Sequence, residues 1–385
     1  METITRTSDL AAFCSRAATF DYVTVDTEFL RETTYWPKLC LLQAATPNEA
    51  VLVDPLAAGL DLAPFLDLLA DEKITKVFHA ARQDIEIFVK LSGKVPVNIF
   101  DTQIAASVCG FGDSVSYDNL VRSVTGVELD KSSRFTDWSA RPLSEKQKTY
   151  ALADVTHLRD IYVRLKAQLD ETHRWSWVED ELETLRSIDT YVVQPAQAWE
   201  RLKMKLNRPR DLAALKALAA WREAKAQNND QPRSRILKDD ALAELVVQRP
   251  LTPDAFDKLR AVPRGFGRSS AAGEIMAILK DIEALPKSAL PAMPERYRGP
   301  SPKGAVGDLI RVLLKAVSEQ NGVAPRIIAT SDEVDALVLD DDADVPALKG
   351  WRRKIFGDKA LAIKHGRMGL AATSRGVVEF EISGS

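Results

Sequence analysis

A chain of 385 residues is longer than one ordinary domain of about 100 to 200 residues and points to two or three. With 45% hydrophobic and 28% charged residues, and no apolar run approaching about 18 residues, the composition excludes a disordered chain and a helical membrane protein. The formal net charge of -3 excludes a uniformly basic surface but hides an asymmetry. The stretch from Glu200 to Arg298 holds 20 Lys+Arg against 13 Asp+Glu, a surplus of +7 that leaves -10 for the rest, so one part can meet phosphate while another holds cations.

The opening METITRTSDLAAFCSRAATF lacks the basic start and apolar core of a secretory leader. Cys14, Cys40 and Cys109 are an odd, widely spaced set without a Cys-x-x-Cys pair, which suits neither a disulfide frame nor a zinc site. A cytoplasmic location without membrane attachment is expected. Strand-like runs follow at 22–29 (YVTVDTEF), 38–45 (KLCLLQAA), 50–54 (AVLVD), 74–80 (ITKVFHA) and 98–102 (NIFDT), rich in β-branched and aromatic residues. Helical spacing of apolar residues covers 61–70, 82–91, 102–109, 116–124 and 144–169. Three strands before the first convincing helix predict an antiparallel meander joined to parallel strands, hence a mixed sheet.

Residues 1–172 are thus expected to form one α/β domain, and 173–207 a connecting helical segment. Beyond it the pattern is helical only. Leu212, Leu215, Leu218 and Trp221 make one stripe, and Thr252 before Pro253 reads as a helix start. The run PRSRILKDDALAELV at 232–246 is echoed by APRIIATSDEVDALV at 324–338, and RGFGRSSAAGEIM by RKIFGDKALAIKHGRM. A degenerate repeat of about 90 residues predicts two tandem helical domains, 208–288 and 300–370, with a tail at 371–385.

Asp26 and Glu28 stand at the end of an apolar strand, where residues two apart share a face. Acid pairs are common on surfaces, but on a hydrophobic strand the charges require compensation, and a divalent cation supplies it. Asp84 opens the helix after the fourth strand, and Tyr150 and Asp154 share a helical face four residues apart. Each taken singly has a plain reading: a helix-dipole charge for Asp84 and a core ring for Tyr150.

Together these residues stand in the order and context of a known family. VTVDTEFLRETTYWPKLCLLQ, VFHAARQDIEIF and YALADVTHL resemble the three motifs of the DEDD exonuclease superfamily, tyrosine branch. The elements LDKS, DW and RPL at Leu129 to Ser132, Asp137 to Trp138 and Arg141 to Leu143 narrow the resemblance to RNA-trimming members of that branch. Residues 210–285 are similar to the HRDC domain shared with RecQ-type helicases. The resemblance spans nearly the whole chain and weakens after Pro300. It implies an α/β RNase H-like mixed-sheet nuclease domain followed by all-α, HRDC-like helical domains.

The activity so implied is a metal-dependent 3′–5′ exoribonuclease that trims RNA 3′ ends, tRNA precursors among them, and releases nucleoside 5′-monophosphates by two-metal-ion hydrolysis. Asp26, Glu28 and Asp154 would hold one ion, Asp26 and Asp84 the second, with Mg²⁺ suited to an all-oxygen site and Mn²⁺ a substitute. Tyr150 would orient the attacking water, since a phenol of pKa near about 10 is a poor base at neutral pH. His79, Tyr35 and Trp36 are candidates to meet the terminal nucleotide, and Lys131, Arg134 and Arg141 to meet phosphate, with core packing or solvation the competing reading for each. In the helical part Arg208, Arg210, Arg233, Arg235, Lys238, Arg264 and Arg268 are candidate RNA contacts, with Gly265 and Gly267 allowing close approach of backbone to phosphate. Two alternatives remain open: a DNA 3′–5′ exonuclease, and an inactive RNA-binding module, the latter disfavoured because all four acids and the tyrosine are present.

Overall fold

The alternating apolar run at the start of the chain forms β1 (Tyr22–Leu30), the middle strand of a five-stranded sheet. Its neighbours are β2 (Lys38–Ala45) and β3 (Ala50–Val53) on one side, β4 (Thr75–Phe78) and β5 (Ile99–Asp101) on the other, in the order β3-β2-β1-β4-β5. The first three strands run antiparallel, while β4 and β5 lie parallel to β1, so the sheet is mixed as expected. This computed structural model describes residues 3–130, 132–133, 136–293, 304–374 and 376–382.

Helices cover both faces of the sheet. They are α1 (Thr7–Ala17), α2 (Ala63–Leu69), α3 (Arg82–Ser92), α4 (Thr102–Val108), α5 (Tyr117–Thr125) and α6 (Glu145–Thr172). The first of them was not expected, although Leu10, Phe13, Cys14 and Ala17, all buried, have the helical spacing of an apolar stripe. The second is shorter than expected because Asp61 accepts the Ala63 N–H at 2.9 Å in a turn. Ser144 and Gln147 close a capping box that fixes where α6 begins.

After α7 (Trp175–Arg186) the chain becomes all-helical. The elements α8 (Pro209–Asn228), α9 (Arg233–Ile236), α10 (Asp239–Gln248), α11 (Pro253–Phe256) and α12 (Ser270–Ala284) enclose one core containing Leu218, Leu242, Phe256 and Ile275. A second core containing Ile310, Leu313, Leu337 and Phe356 lies among α13 (Ala305–Asn321), α14 (Pro325–Ile328), α15 (Ser331–Leu339), α16 (Gly350–Arg352) and α17 (Asp358–Lys364). The echoed sequences serve one packing device in both. A Cβ on Gly267 would stand 2.4 Å from the Pro253 carbonyl oxygen, and one on Gly357 would stand 2.4 Å from that of Ala347. The close approach at Gly267 is therefore internal and not to a phosphate.

The second helical region docks on α7 beside the sheet domain. Trp177 and Trp351 stack at 3.9 Å, and Arg352 pairs with Asp180 at 3.1 Å and with Glu181. The chain then forms a hairpin of β6 (Met368–Thr373) and β7 (Gly376–Glu381). Among the described residues, no helix is long and apolar enough to cross a membrane, and the three cysteines are buried free thiols.

Candidate active site

Strand alternation places the chemistry. Thr24, Asp26 and Glu28 turn towards α6, where the Thr24 hydroxyl donates to the Val155 carbonyl at 2.8 Å. One residue earlier on α6, Asp154 offers a carboxylate oxygen that lies within 4.8 Å of oxygens from Asp26 and Glu28. A bulge follows at once, between Glu28 and Phe29, where the ladder bends and re-aims the strand end. Thr27 points the other way, and its hydroxyl donates to the buried Asp84 carboxylate at the start of α3.

The loop that delivers Asp84 is pinned by Asp101. Its carboxylate accepts the N–H groups of Ala80 at 3.1 Å and Ala81 at 2.8 Å, and it also caps α4 through Gln103 N–H at 2.8 Å. Ala80 is held there at φ 57°, a left-handed conformation uncommon for alanine. Asp26, Glu28, Asp84, Tyr150 and Asp154 all line one cleft of ≈ 670 Å³. An all-oxygen, carboxylate-rich set of this kind fits hard divalent cations.

The electrostatics ask for those cations. Burial pushes the Asp26 carboxyl up to about 7, opposed only by the Thr27 backbone N–H. Burial first, and then the Asp26 charge, hold Asp84 well above the usual carboxylate range. A folded pKa above the unfolded value means that the contribution of these carboxyls to the stability of metal-free protein is fully present below the ordinary carboxylate range and is lost as pH rises towards about 7. A bound cation reverses that loss and competes with the proton. The gap in Tm between Mg²⁺-loaded and EDTA-treated protein should therefore widen from about pH 5.5 to 7.5. A gap that stayed constant with pH would show that these carboxyls are not the ones the ion displaces protons from.

Two further side chains at the cleft escape sequence reading or gain definition from the structure. His79 Nδ1 lies 2.9 Å from the Thr102 hydroxyl, which also has the Phe78 carbonyl within reach at 3.0 Å. Burial pushes His79 below the usual imidazole value, opposed by the Asp101 charge and by a backbone hydrogen bond at Val115, leaving a neutral ring at the cleft wall. Tyr117, unremarked in the sequence, donates to the Ala153 carbonyl at 2.9 Å and lies edge-on to His79. Burial and the nearby Asp154 and Asp26 hold its phenol well above the usual range, so it is a fixed neutral wall beside Asp154.

Other expected contacts are corrected. Arg141 spends all five N–H donors inside the protein, on both oxygens of Asp54 and on the carbonyls of Cys40, Trp138 and Ala140, which leaves none for phosphate. Tyr35 is buried with its hydroxyl on Glu223, and Trp36 carries the Lys90 ammonium 4.3 Å from its ring centre. Neither ring lines the cleft. In the helical part, Arg210 holds the Ile282, Glu283 and Leu285 carbonyls at the end of α12, and Arg233 pairs with Glu223. Lys131 and Arg134 lie outside the described residues.

Comparisons with known proteins bear on the family and the fold. The pattern of a 3′–5′ exonuclease family matches residues 1–170, and that of the HRDC domain matches 211–279. The chain is 50% identical over 383 residues to ribonuclease D of Nitrobacter hamburgensis, covering 100% of each, and 47% identical over 370 residues to that of Bartonella henselae, covering 96% of this chain and 91% of the other. The crystal structure of Escherichia coli RNase D, described as an exoribonuclease involved in structured RNA processing, superposes with a TM-score of 0.83 at 28% identity, covering 95% of this chain and 98% of that one.

Proposed function

Because the chain belongs to the ribonuclease D family and is a 3′–5′ exoribonuclease, we propose that it trims structured RNA, tRNA precursors included, by two-metal-ion hydrolysis in the cytoplasm. The observation that carries this reading is the carboxylate cluster of Asp26, Glu28 and Asp154 with Asp84 in the same cleft. Asp26, Glu28 and Asp154 would hold one Mg²⁺, Asp26 and Asp84 the other, with Mn²⁺ an acceptable substitute. Ions bound there would supply Lewis-acid activation of water and neutralisation of charge on the leaving 3′-oxygen.

The remaining tasks fall to the protein. Tyr150 orients the attacking water towards the scissile phosphorus, and breaking the P–O3′ bond releases a nucleoside 5′-monophosphate and a shortened 3′-hydroxyl end. His79 and Tyr117 form the wall against which the terminal nucleotide rests. The basic surplus over 200–298, presented by exposed Arg235, Lys238, Arg264 and Arg268, attracts the body of the RNA. Residues 305–364, with their echoed glycine packing, form a second, divergent HRDC-like unit.

One assay tests the reading: 3′- and 5′-labelled RNA, unstructured or carrying a tRNA fold, incubated with Mg²⁺, Mn²⁺ or EDTA at rising salt. Mononucleotide release from the 3′ end that needs metal is expected. Log KM on the tRNA fold should rise with log salt by about 0.7 to 0.9 for each phosphate neutralised. Degradation that persists in EDTA, or a KM independent of salt, would remove the metal or the helical part of the proposal respectively.

A further inference from the structure

The connection between β1 and β2, residues 31–37, is held at three points that otherwise have little to do with one another. Phe29, Leu30, Arg31 and Glu32, where β1 ends and this connection begins, line the active-site cleft. Arg31 makes a bidentate ion pair with Glu86 at 2.7 Å and 2.7 Å, on the same helix as Asp84 and two residues after it. Trp36 lies under Lys90 of that helix. The far end is gripped by the helical domain. Asp230, just beyond α8, accepts the backbone N–H of both Tyr35 at 3.1 Å and Trp36 at 2.9 Å.

The Tyr35 ring is enclosed by the same domain. Its hydroxyl donates to Glu223 and accepts from Arg233 at 2.8 Å and from Gln227 at 3.2 Å, while the Arg233 guanidinium stacks 4.7 Å above the ring centre. Arg233 in turn holds the Glu223 carboxylate at 2.6 Å, and Glu223 is only 1% exposed. Buried, charge-assisted and mutually satisfied, such a network has one low-energy arrangement. It reaches across the chain from residues 223–233 to a loop that begins three residues after Glu28.

From this geometry we infer that Glu223, Asp230 and Arg233 of the helical domain are positioning residues for the nuclease site. They fix the 31–37 connection, and the connection fixes the end of β1, bearing Asp26 and Glu28, relative to α3, bearing Asp84. The helical domain is then part of the catalytic scaffold as well as an RNA-binding surface. An active site tolerates little movement: a displacement of about 1 Å can cost on the order of 10²-fold in rate. Loss of one clamp contact, with the others kept, should cost less than that.

Full-length variants test this. Asp230→Gly removes both backbone contacts, and because Asp230 sits at φ 48° glycine suits its backbone. Asp230→Asn keeps an acceptor at the same place, and Tyr35→Phe removes only the hydroxyl from Glu223. On a short single-stranded RNA, Asp230→Gly and Tyr35→Phe should each lower kcat by about 3- to 10-fold and raise the Mg²⁺ concentration for half-maximal rate, with KM changed less than about twofold. Asp230→Asn should restore both quantities. Wild-type kcat and Mg²⁺ requirement in the Gly and Phe variants, or a rise in KM alone, would overturn the inference and leave these residues as a tether or an RNA contact. Should the glycine variant fail to fold, Tyr35→Phe decides alone. The inference rests on the carboxylate cluster being the metal site, and the two failures differ: full activity of Asp26→Asn overturns the site, whereas full activity of Tyr35→Phe alongside an inactive Asp26→Asn overturns only the clamp.

Discussion

Asparagine in place of Asp26, Asp84 or Asp154 should lower kcat on single-stranded RNA by about 10³-fold or more while leaving the protein folded. The substitution keeps shape and removes one charge from a cleft in which oxygens of Asp26, Glu28 and Asp154 lie within 4.8 Å of one another and which Asp84 also lines. Each carboxylate does a task that a neutral amide does poorly, namely offsetting the charge of a divalent ion. The folded state should not suffer at neutral pH. Burial and mutual proximity already oppose ionisation of Asp26 and Asp84, so neutralising either removes an unfavourable charge from metal-free protein. The check is a pair of measurements on each variant at about pH 7.5: kcat with saturating Mg²⁺, and Tm in EDTA. Near wild-type trimming by all three variants would end the assignment. A loss of activity that accompanied a collapsed Tm in EDTA would make the carboxylates structural.

How much of this was legible beforehand depends on the range of the contacts. The run YVTVDTEF announces β1 and the shared face of Asp26 and Glu28 because strand alternation is local, and Tyr150 to Asp154 is one turn of one helix. Motif order then brought Asp84 into the set although no local signal separates it from a helix-dipole acid. Contacts made between distant residues leave no such local signal. Arg141 looked like a phosphate ligand because its partner Asp54 lies 87 residues away, and Tyr35 looked like a stacking platform because Glu223, which takes its hydroxyl, lies 188 residues away. An exposed cation or ring beside an active site is a fair reading of composition, but a buried one is decided by which distant charge the fold brings to it. Helix α1 is a different case: the apolar spacing of Leu10, Phe13, Cys14 and Ala17 is local and present in the sequence.

Tyr150→Phe should lower kcat by about 10²-fold and change KM by less than about twofold. The phenyl ring should keep its place, since it packs at 6.1 Å from the buried Trp138 on a helix whose start is fixed by the Ser144 capping box. What is lost is the hydroxyl one turn before Asp154, the group proposed to hold the attacking water in line. If orientation is its task, the pH dependence of kcat/KM should keep the wild-type shape, merely displaced downward, because protons still leave the carboxyls as the metals bind. A phenol acting as the base would instead carry a limb of its own, and that limb would vanish in the phenylalanine variant. Measuring kcat and KM from about pH 5.5 to 9 on one labelled oligonucleotide separates the cases. A variant that lost affinity but kept kcat would make Tyr150 a substrate contact, and one that retained both would leave the water to be placed by other residues of the cleft.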